Sequence, residues 1–141
     1  NAIKFIGHSD NGSGLRLYGD LKIYATGTNG SITLEADGTS GTDYGILFDG
    51  GSSEILASSG SILLDVKQAT TTADIYIGHS GVYLGSKSGT LVPTSSSNIL
   101  MRFNQINFNG YTPDISSTGT FTIEPLATSQ SFQLIKTSWF T

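Results

Sequence analysis

The chain alternates short apolar runs with clusters of glycine and small polar residues. Typical runs are "AIKFIG", "GSITLEADG" and "SEILASSG", in which apolar and polar residues take turns. Alternation with a period of two is typical of half-buried β-strands, and Gly, Asn, Asp and Ser between the runs are typical of turns. No window repeats apolar residues at helical spacing over about ten positions, so the pattern predicts an all-β chain.

The same phrase returns about every thirty residues. A glycine followed by Ser or Thr and then by an apolar strand begins at Gly30, Gly60, Gly89 and Gly119. Phrases inside the period also correspond, since "GLRLYGDLKIYATG" has the rhythm of "GILFDGGSSEILASSG", and "DISSTG" echoes "EILASSG". Each period therefore holds roughly three strands, and self-similarity at about 20–50 residues indicates a stacked-repeat architecture.

Superposed periods predict columns of apolar side chains. If each period is one turn of a coil, equivalent residues stack about 4.8 Å apart, which is the spacing of hydrogen-bonded strands. The first column contains Ile3, Ile32, Ile62, Leu91 and Phe121. The second, two residues further on, contains Phe5, Leu34, Leu64 and Ile123, with Pro93 as an exception. The remaining strands add Leu15, Leu17, Ile46, Phe48, Ile75, Ile77, Ile99 and Met101. We therefore predict a right-handed parallel β-helix, or β-solenoid, that spans residues 1–141 as one segment.

An antiparallel β-sandwich of pilin or immunoglobulin type is the alternative fold. Such sandwiches also use many short strands, and "TNGS" at Thr28 and "DGGS" at Asp49 are similar to hairpin turns. A sandwich does not require phrases that match at a fixed period, so the pattern favours the solenoid.

Composition narrows the classes of function. Seven basic residues against eleven acidic ones give a formal net charge of −4, and no cluster of Lys and Arg offers a binding patch for phosphates, so we expect no nucleic-acid partner. The absence of cysteine excludes disulfides, thiolate metal sites and cysteine nucleophiles. No apolar stretch is long enough for a membrane-spanning helix, and we expect no membrane insertion. Because the chain begins at Asn1 and ends in "SWFT", we expect it to be a segment excised from a longer repetitive protein.

The repeated phrases resemble a family of secreted proteins. The stretch "GSITLEADGTSGTDYGILFDGGSSEILASSGSILLDV" resembles the repeat regions of very large bacterial exoproteins, the filamentous-haemagglutinin-like proteins of two-partner secretion systems. The segment from Gln105 to Phe132 is similar to a second recurring phrase of that family. The resemblance covers most of the chain and implies a β-helical rod that is exported from a Gram-negative bacterium and serves adhesion, aggregation or surface architecture. The chain lacks the amino-terminal secretion domain of such proteins and is far shorter, as expected of a fragment.

Two histidines share the tetrapeptide Ile-Gly-His-Ser and raise the question of a catalytic or metal site. His8 follows a strand of the first column, whereas His79 falls between two later strands, so the two side chains do not share a column. Neither has an acid at a convincing ligand spacing, and "GHSG" is not the Gly-x-Ser-x-Gly elbow of serine hydrolases. We interpret both histidines as residues of polar turns, and we predict no catalytic residue and no cofactor.

Three acids share one position of the superposed periods. Glu35, Asp65 and Glu124 fall on the solvent face of the first strand, and Thr94 takes that position in the fourth period. Stacked carboxylates repel one another, so such a column can recruit Ca²⁺. The column is interrupted at Thr94 and no Gly-Gly-x-Gly-x-Asp calcium repeat is present, so solvated carboxylates are the default interpretation and calcium is the alternative.

Five tyrosines are candidates for a contact surface with glycans or with another rod: Tyr18, Tyr24, Tyr44, Tyr76 and Tyr83. A tyrosine offers a ring for stacking and a polar tip for hydrogen bonds. The alternative is that these rings stack on one another along the coil.

The sequence favours a structural role over catalysis. The ends of a solenoid expose strand edges and apolar columns, so we expect head-to-tail stacking of copies or continuation into flanking repeats. We therefore predict an extracellular or cell-surface bacterial protein that is structural or adhesive and not an enzyme, with its own copies and surface glycans as partners. The alternatives are a pilin-like subunit completed by a neighbour's strand and a β-helical protein that binds or cleaves polysaccharides.

Overall fold

The structure, a computed structural model, describes residues 2–38, 42–67, 70, 72–127 and 133–135. These residues form fourteen β-strands and no helix, as the alternation predicts. The strands are β1 (Ala2–Ser9), β2 (Gly12–Tyr18), β3 (Leu21–Ala25), β4 (Ser31–Gly38), β5 (Thr42–Asp49), β6 (Ser53–Ala57), β7 (Ser61–Val66), β8 (Ala73–Ile77), β9 (Val82–Gly85), β10 (Asn98–Arg102), β11 (Gln105–Asn107), β12 (Asp114–Ser116), β13 (Phe121–Glu124) and β14 (Gln133–Ile135). In this part of the chain no helix could cross a membrane.

The strands assemble into three parallel sheets, one for each side of a coil. Sheet A has the order β1-β4-β7-β10-β13, sheet B the order β14-β11-β8-β5-β2, and sheet C the order β12-β9-β6-β3. The chain therefore visits the three sheets in turn and adds one strand to each as it climbs. Every pairing among these strands is parallel, so the antiparallel sandwich is wrong and the fold is a parallel β-solenoid.

The apolar columns of sheet A are confirmed over the first three coils. Ile32 pairs with Ile3 on one side and with Ile62 on the other. Leu34 lies in the same way between Phe5 and Leu64. The four central side chains, Ile32, Leu34, Ile62 and Leu64, are completely buried. Full burial of such a side chain stabilises the fold by about 1.5–3 kcal/mol, so the columns are the main source of stability.

The fourth coil departs from the predicted register. Ile99 pairs with both Ile62 and Phe121, and Met101 pairs with both Leu64 and Ile123, so Leu91 and Pro93 do not belong to these columns. Residues 86–97 connect β9 to β10, whereas only residues 58–60 connect β6 to β7. A fixed period therefore predicts the fourth strand of sheet A too early in the sequence. Proline also lacks the N–H that a central strand must donate.

Sheets B and C continue the interior with equally regular columns. In sheet B, Ile46 pairs with Leu15 and Ile75, and Phe48 pairs with Leu17 and Ile77, as the sequence predicts. Ile99 and Met101, which the pattern assigns to these other strands, instead belong to sheet A. In sheet C, the predicted echo of "EILASSG" in "DISSTG" is confirmed, because Glu54 and Asp114 both pair with Tyr83.

The corners between the sheets explain the recurring glycine and serine. Gly60 has a φ of 90°, and a Cβ at this position would lie 2.2 Å from the carbonyl oxygen of Gly30, so a side chain has neither the backbone conformation nor the space. The serine corners stack through backbone hydrogen bonds, since the N–H of Ser58 donates to Ala25 and the N–H of Ser96 donates to Ser58, each at 3.0 Å.

Candidate functional site

The outer face of sheet A carries a line of ion-paired side chains along the axis of the coil. Lys4 Nζ lies 3.0 Å from Glu35 Oε2, and Lys67 Nζ lies 3.6 Å from the same oxygen. Lys67 also hydrogen-bonds to Asp65. Arg102 bridges the next step, with one nitrogen 3.3 Å from Asp65 and another 3.3 Å from Glu124. We call these six residues the charge ladder: Lys4, Glu35, Asp65, Lys67, Arg102 and Glu124.

The contacts within the charge ladder favour the charged forms of Glu35 and Lys67. The hydrogen bond from Lys4, helped by the charge of Lys67, lowers the pKa of Glu35 even though burial opposes this. The hydrogen bond to Asp65 raises the pKa of Lys67. The Asp65 side chain is only 2% exposed, so its partners replace the water that the carboxylate loses.

The predicted acidic column is therefore present only in part. Glu35 and Asp65 lie opposite one another on neighbouring strands, but Arg102, and not Thr94, stands between Asp65 and Glu124. The prediction that Thr94 belongs to this column is wrong for the same reason as the prediction for Leu91. The long corner before β10 shifts the register of the fourth coil. Among the described residues no group of three or more His, Asp or Glu side chains could hold a metal ion. The carboxylates for which calcium was the alternative interpretation contact lysine and arginine.

A second charged group lies on the outer face of sheet C, centred on Glu54. Its carboxylate accepts hydrogen bonds from the Tyr24 hydroxyl and from Lys87 Nζ, the latter at 2.6 Å. Lys87 Nζ also lies 4.1 Å from the centre of the Tyr83 ring, a cation–π contact. We call these four residues the Glu54 cluster.

Three members of the Glu54 cluster have shifted pKa values: Glu54, Tyr24 and Lys87. Burial favours the neutral form of Glu54, but the hydrogen bonds from Lys87 and Tyr24 outweigh it and lower the pKa of the carboxyl. Donating to this carboxylate raises the pKa of Tyr24 to about 12. The hydrogen bond to Glu54 likewise raises the pKa of Lys87. The cluster is therefore a buried carboxylate held between one cation and one neutral phenol.

Residues 86–97, which we call the corner loop, explain why an outward-facing carboxylate is buried. Lys87 of this loop reaches Glu54, and the Ser95 hydroxyl donates to the Ala57 carbonyl oxygen at 2.6 Å. Leu56, whose neighbours Ile55 and Ala57 belong to the interior core, lies on the outer face of β6 and is nevertheless completely buried. The loop therefore covers sheet C, with Val92 buried and Leu91 74% exposed.

A depression of about 210 Å³ lies where the corner loop rejoins the coil, and its lining is rich in hydroxyl groups. These hydroxyls bind the protein itself. Ser86 donates to the Ser116 carbonyl oxygen at 3.1 Å, Ser117 to that of Ser97 at 2.7 Å, and Thr118 to that of Ser95 at 3.2 Å. These hydrogen bonds connect the corners of neighbouring coils, so the hydroxyl groups stabilise the fold rather than form a ligand site.

The two histidines lie apart, as the sequence predicts. His8 is exposed within β1, where it pairs with Asp37, so the prediction that it lies in a turn after the strand is wrong. Its Nε2 lies 3.3 Å from Asp10 Oδ1. His79 is 9% exposed in the turn between β8 and β9, and its Nδ1 accepts a hydrogen bond of 3.1 Å from the N–H of Gly81. Within the described residues its buried Nε2 has no hydrogen-bond partner. Burial lowers the pKa of His79 although the charge of Asp49 opposes this, so the imidazole is neutral at pH 7.

The five candidate tyrosines do not form one face. Tyr18, Tyr44 and Tyr76 belong to strands of sheet B, whereas Tyr24 and Tyr83 lie on sheet C in the Glu54 cluster. The Tyr44 and Tyr76 rings stack at 4.9 Å between centroids, tilted by 55°. Tyr18 is exposed, and the Arg16 guanidinium lies 5.4 Å from the centre of its ring. Tyr44 and Tyr76 therefore contact one another along the coil, and the contact surface for glycans or for another rod stays a prediction.

The sequence pattern missed the Glu54 cluster and the corner loop. Strand alternation places Glu54 and Leu56 on an outer face, where a polar environment is the expectation. The sequence signal for the corner loop was the run "KSGTLVPTSSS", which contains Pro93 and follows a complete strand. Such a run is as typical of a loop as of a strand.

No family model, curated protein or solved structure matches the chain. The resemblance to filamentous-haemagglutinin-like repeats therefore stays a prediction.

Proposed function

We propose that this chain is a structural segment of an extracellular, adhesive or surface-building bacterial protein, in which it forms a rod and performs no catalysis. The observation that carries the proposal is the continuous apolar interior, whose columns pass in register from Ile3 to Phe121. Each coil presents to the next a row of backbone groups and a row of apolar side chains. A structure of this kind grows by adding coils.

The outermost strands support growth at both ends. In the described part of the chain, β1 and β13 each pair on one side only, so each leaves an edge of backbone groups that can accept another strand. The next coil comes from flanking repeats of the same chain or from another copy. Because the two ends are unlike, a contact between copies does not close on itself and generates a fibre.

The test is the assembly state of the 141-residue chain. Size-exclusion chromatography with light scattering should show mass that increases with concentration, and electron microscopy should show rods of constant width. A compact monomer at high concentration would count against assembly of copies.

Polysaccharide binding is a second candidate, favoured by the stacked Tyr44 and Tyr76 on sheet B. Paired aromatic rings suit the apolar faces of sugars, and tyrosine hydroxyls add hydrogen bonds. Screening neutral and acidic polysaccharides against the chain tests this, with Tyr76→Ala expected to weaken any binding. Tyr83→Ala, on sheet C, is the matched control. Turnover of a polysaccharide that a single Asp→Asn change abolishes would instead establish an enzyme.

A further inference from the structure

The two open edges of sheet A match one another. β1 forms one edge and β13 the other, and their side chains occupy the same columns, with Ile3 and Phe121 in the first and Phe5 and Ile123 in the second. We infer that β1 of one copy of this chain pairs in parallel with β13 of another, in the register that places Ile3 on Phe121 and Phe5 on Ile123. This inference rests on the proposed function and specifies its contact.

The sequence of β13 supports this register. Its residues Phe121, Thr122, Ile123 and Glu124 repeat the order apolar, Thr, apolar, Glu that β4 presents in Ile32–Glu35. Inside one copy β1 already pairs with β4, and Lys4 lies opposite Thr33. A second copy would bring Lys4 opposite Thr122 and within the same diagonal reach of Glu124. The edge of β13 therefore offers β1 a partner of the kind that it already has.

Exposed apolar side chains mark both edges. Phe5 is 44% exposed at one end and Phe121 is 48% exposed at the other, which is unusual for residues of interior columns. Beside Phe121, an apolar cavity of about 190 Å³ opens between Met101, Ile115 and Ile123. In the inferred register Phe5 of the second copy lies over Ile123, beside this cavity, and its ring is removed from water together with that of Phe121.

The charges of the two ends are complementary. The charge ladder begins with Lys4, which is half exposed and contacts Glu35 of the next coil. It ends with Glu124, which is 47% exposed and contacts Arg102 of the preceding coil. Stacking head to tail therefore brings a lysine towards a glutamate, whereas joining like ends would place like charges together.

The contact runs through sheets A and B. Each of these sheets has five strands in the described part of the chain, while sheet C has four. The second copy therefore meets β13 and β14 directly, through its own β1 and β2.

Charge exchange at the two ends tests the register. We compare wild type, Lys4→Glu, Glu124→Lys and the double variant by sedimentation velocity over a range of concentrations at low and high salt. Each single variant places like charges at every junction, and we expect its dissociation constant to rise about tenfold at low salt. Equal mixtures of the two single variants restore association, because the exchanged charges then meet as opposites at the mixed junction, and the double variant associates alone. Asp37→Lys, which makes the same charge change as Glu124→Lys but on the inner strand β4, should associate like wild type.

The outcomes separate this inference from the proposed function. If wild type assembles and the single variants assemble equally well, the register is wrong while the rod-forming function stands. If wild type remains monomeric at every concentration, the assembly of copies and the register both fall. If association requires removal of residues 136–141, that segment rather than a second copy covers the edge, and the inference is overturned. Urea unfolding of each variant establishes that the comparison is made between folded chains.

Discussion

At the scale of single residues, Glu54 shows how one side chain depends on its covering. Its carboxylate is buried on the outer face of a sheet and is stable there because Tyr24 and Lys87 supply hydrogen bonds in place of water. We expect Glu54→Ala to lower the free energy of unfolding by about 2–3 kcal/mol, since it leaves the two donors without an acceptor. Urea denaturation measures the change.

Asp114→Ala is the matched control for Glu54→Ala. Asp114 lies in the same column but is exposed, so its loss should change the free energy of unfolding by less than about 0.5 kcal/mol. Glu54→Gln adds a spectroscopic test, because the pKa of Tyr24 should return from about 12 towards its ordinary value of 10.0. Equal losses in the two alanine variants would contradict the importance of the cluster.

The buried His79 is expected to make the stability of the fold depend on pH. Its pKa in the folded chain is below the ordinary value of 6.5, so the unfolded chain binds a proton first as the pH falls. The stability that the neutral imidazole contributes is therefore complete above about pH 6.5 and is lost as the pH falls towards the folded pKa. Glu35 and Glu54 also have lowered pKa values, but their contributions are lost only below about pH 4.5. We expect His79→Asn to flatten the stability profile between about pH 7 and pH 5.

The exposed His8 provides the comparison for this profile. His8→Asn removes the other imidazole of the chain and is measured beside His79→Asn as the comparison. Denaturant midpoints measured at half-unit steps of pH give the slopes. If the slope of stability against pH is the same in His79→Asn as in wild type, the buried ring does not cause the loss of stability at acid pH.

At the scale of elements, the corner loop is an addition to the coil. We expect a chain without Lys87–Thr94 to keep its β-sheet circular dichroism, because Ser95–Ser97 resume the corner and bond to the coil below. Its free energy of unfolding should fall by about 2–4 kcal/mol, since Leu56 becomes exposed and Glu54 loses Lys87. Loss of the β-sheet signal would show that the loop is needed for the coil itself.

The elements also show how far the sequence can predict the structure. Matching phrases place Ile32 over Ile62 correctly, because a buried column demands apolar residues at one fixed spacing. The same rule fails at Leu91, since a corner can lengthen without disturbing the columns, and periodicity alone does not detect this. The partners of Asp65 and Glu54 were not predictable for a related reason. They come from Arg102 and Lys87, whose positions depend on the true register and on the loop.

At the scale of the whole molecule, stability is transmitted from coil to coil. The central strands β5–β8 have neighbours on both sides, whereas β1 and β13 have one described neighbour each. We therefore expect backbone amides of the central strands to exchange with deuterium more slowly than those of β1 and β13. Leu64→Ala should cost about 2–5 kcal/mol and raise exchange in the coils on both sides, whereas Thr33→Ala on the outer face should have little effect. Uniform protection from end to end would contradict this gradient.

The corner loop has a consequence for how such a solenoid can diversify. The strand that follows the loop stays in register with both of its neighbours, since Ile99 pairs with Ile62 on one side and with Phe121 on the other. A corner can therefore carry a peptide of new length and chemistry while the scaffold stays the same. The peptide that a corner presents can then change independently of the sheets that support it. The same independence makes the segment between Ser86 and Ser95 suitable for grafting an epitope.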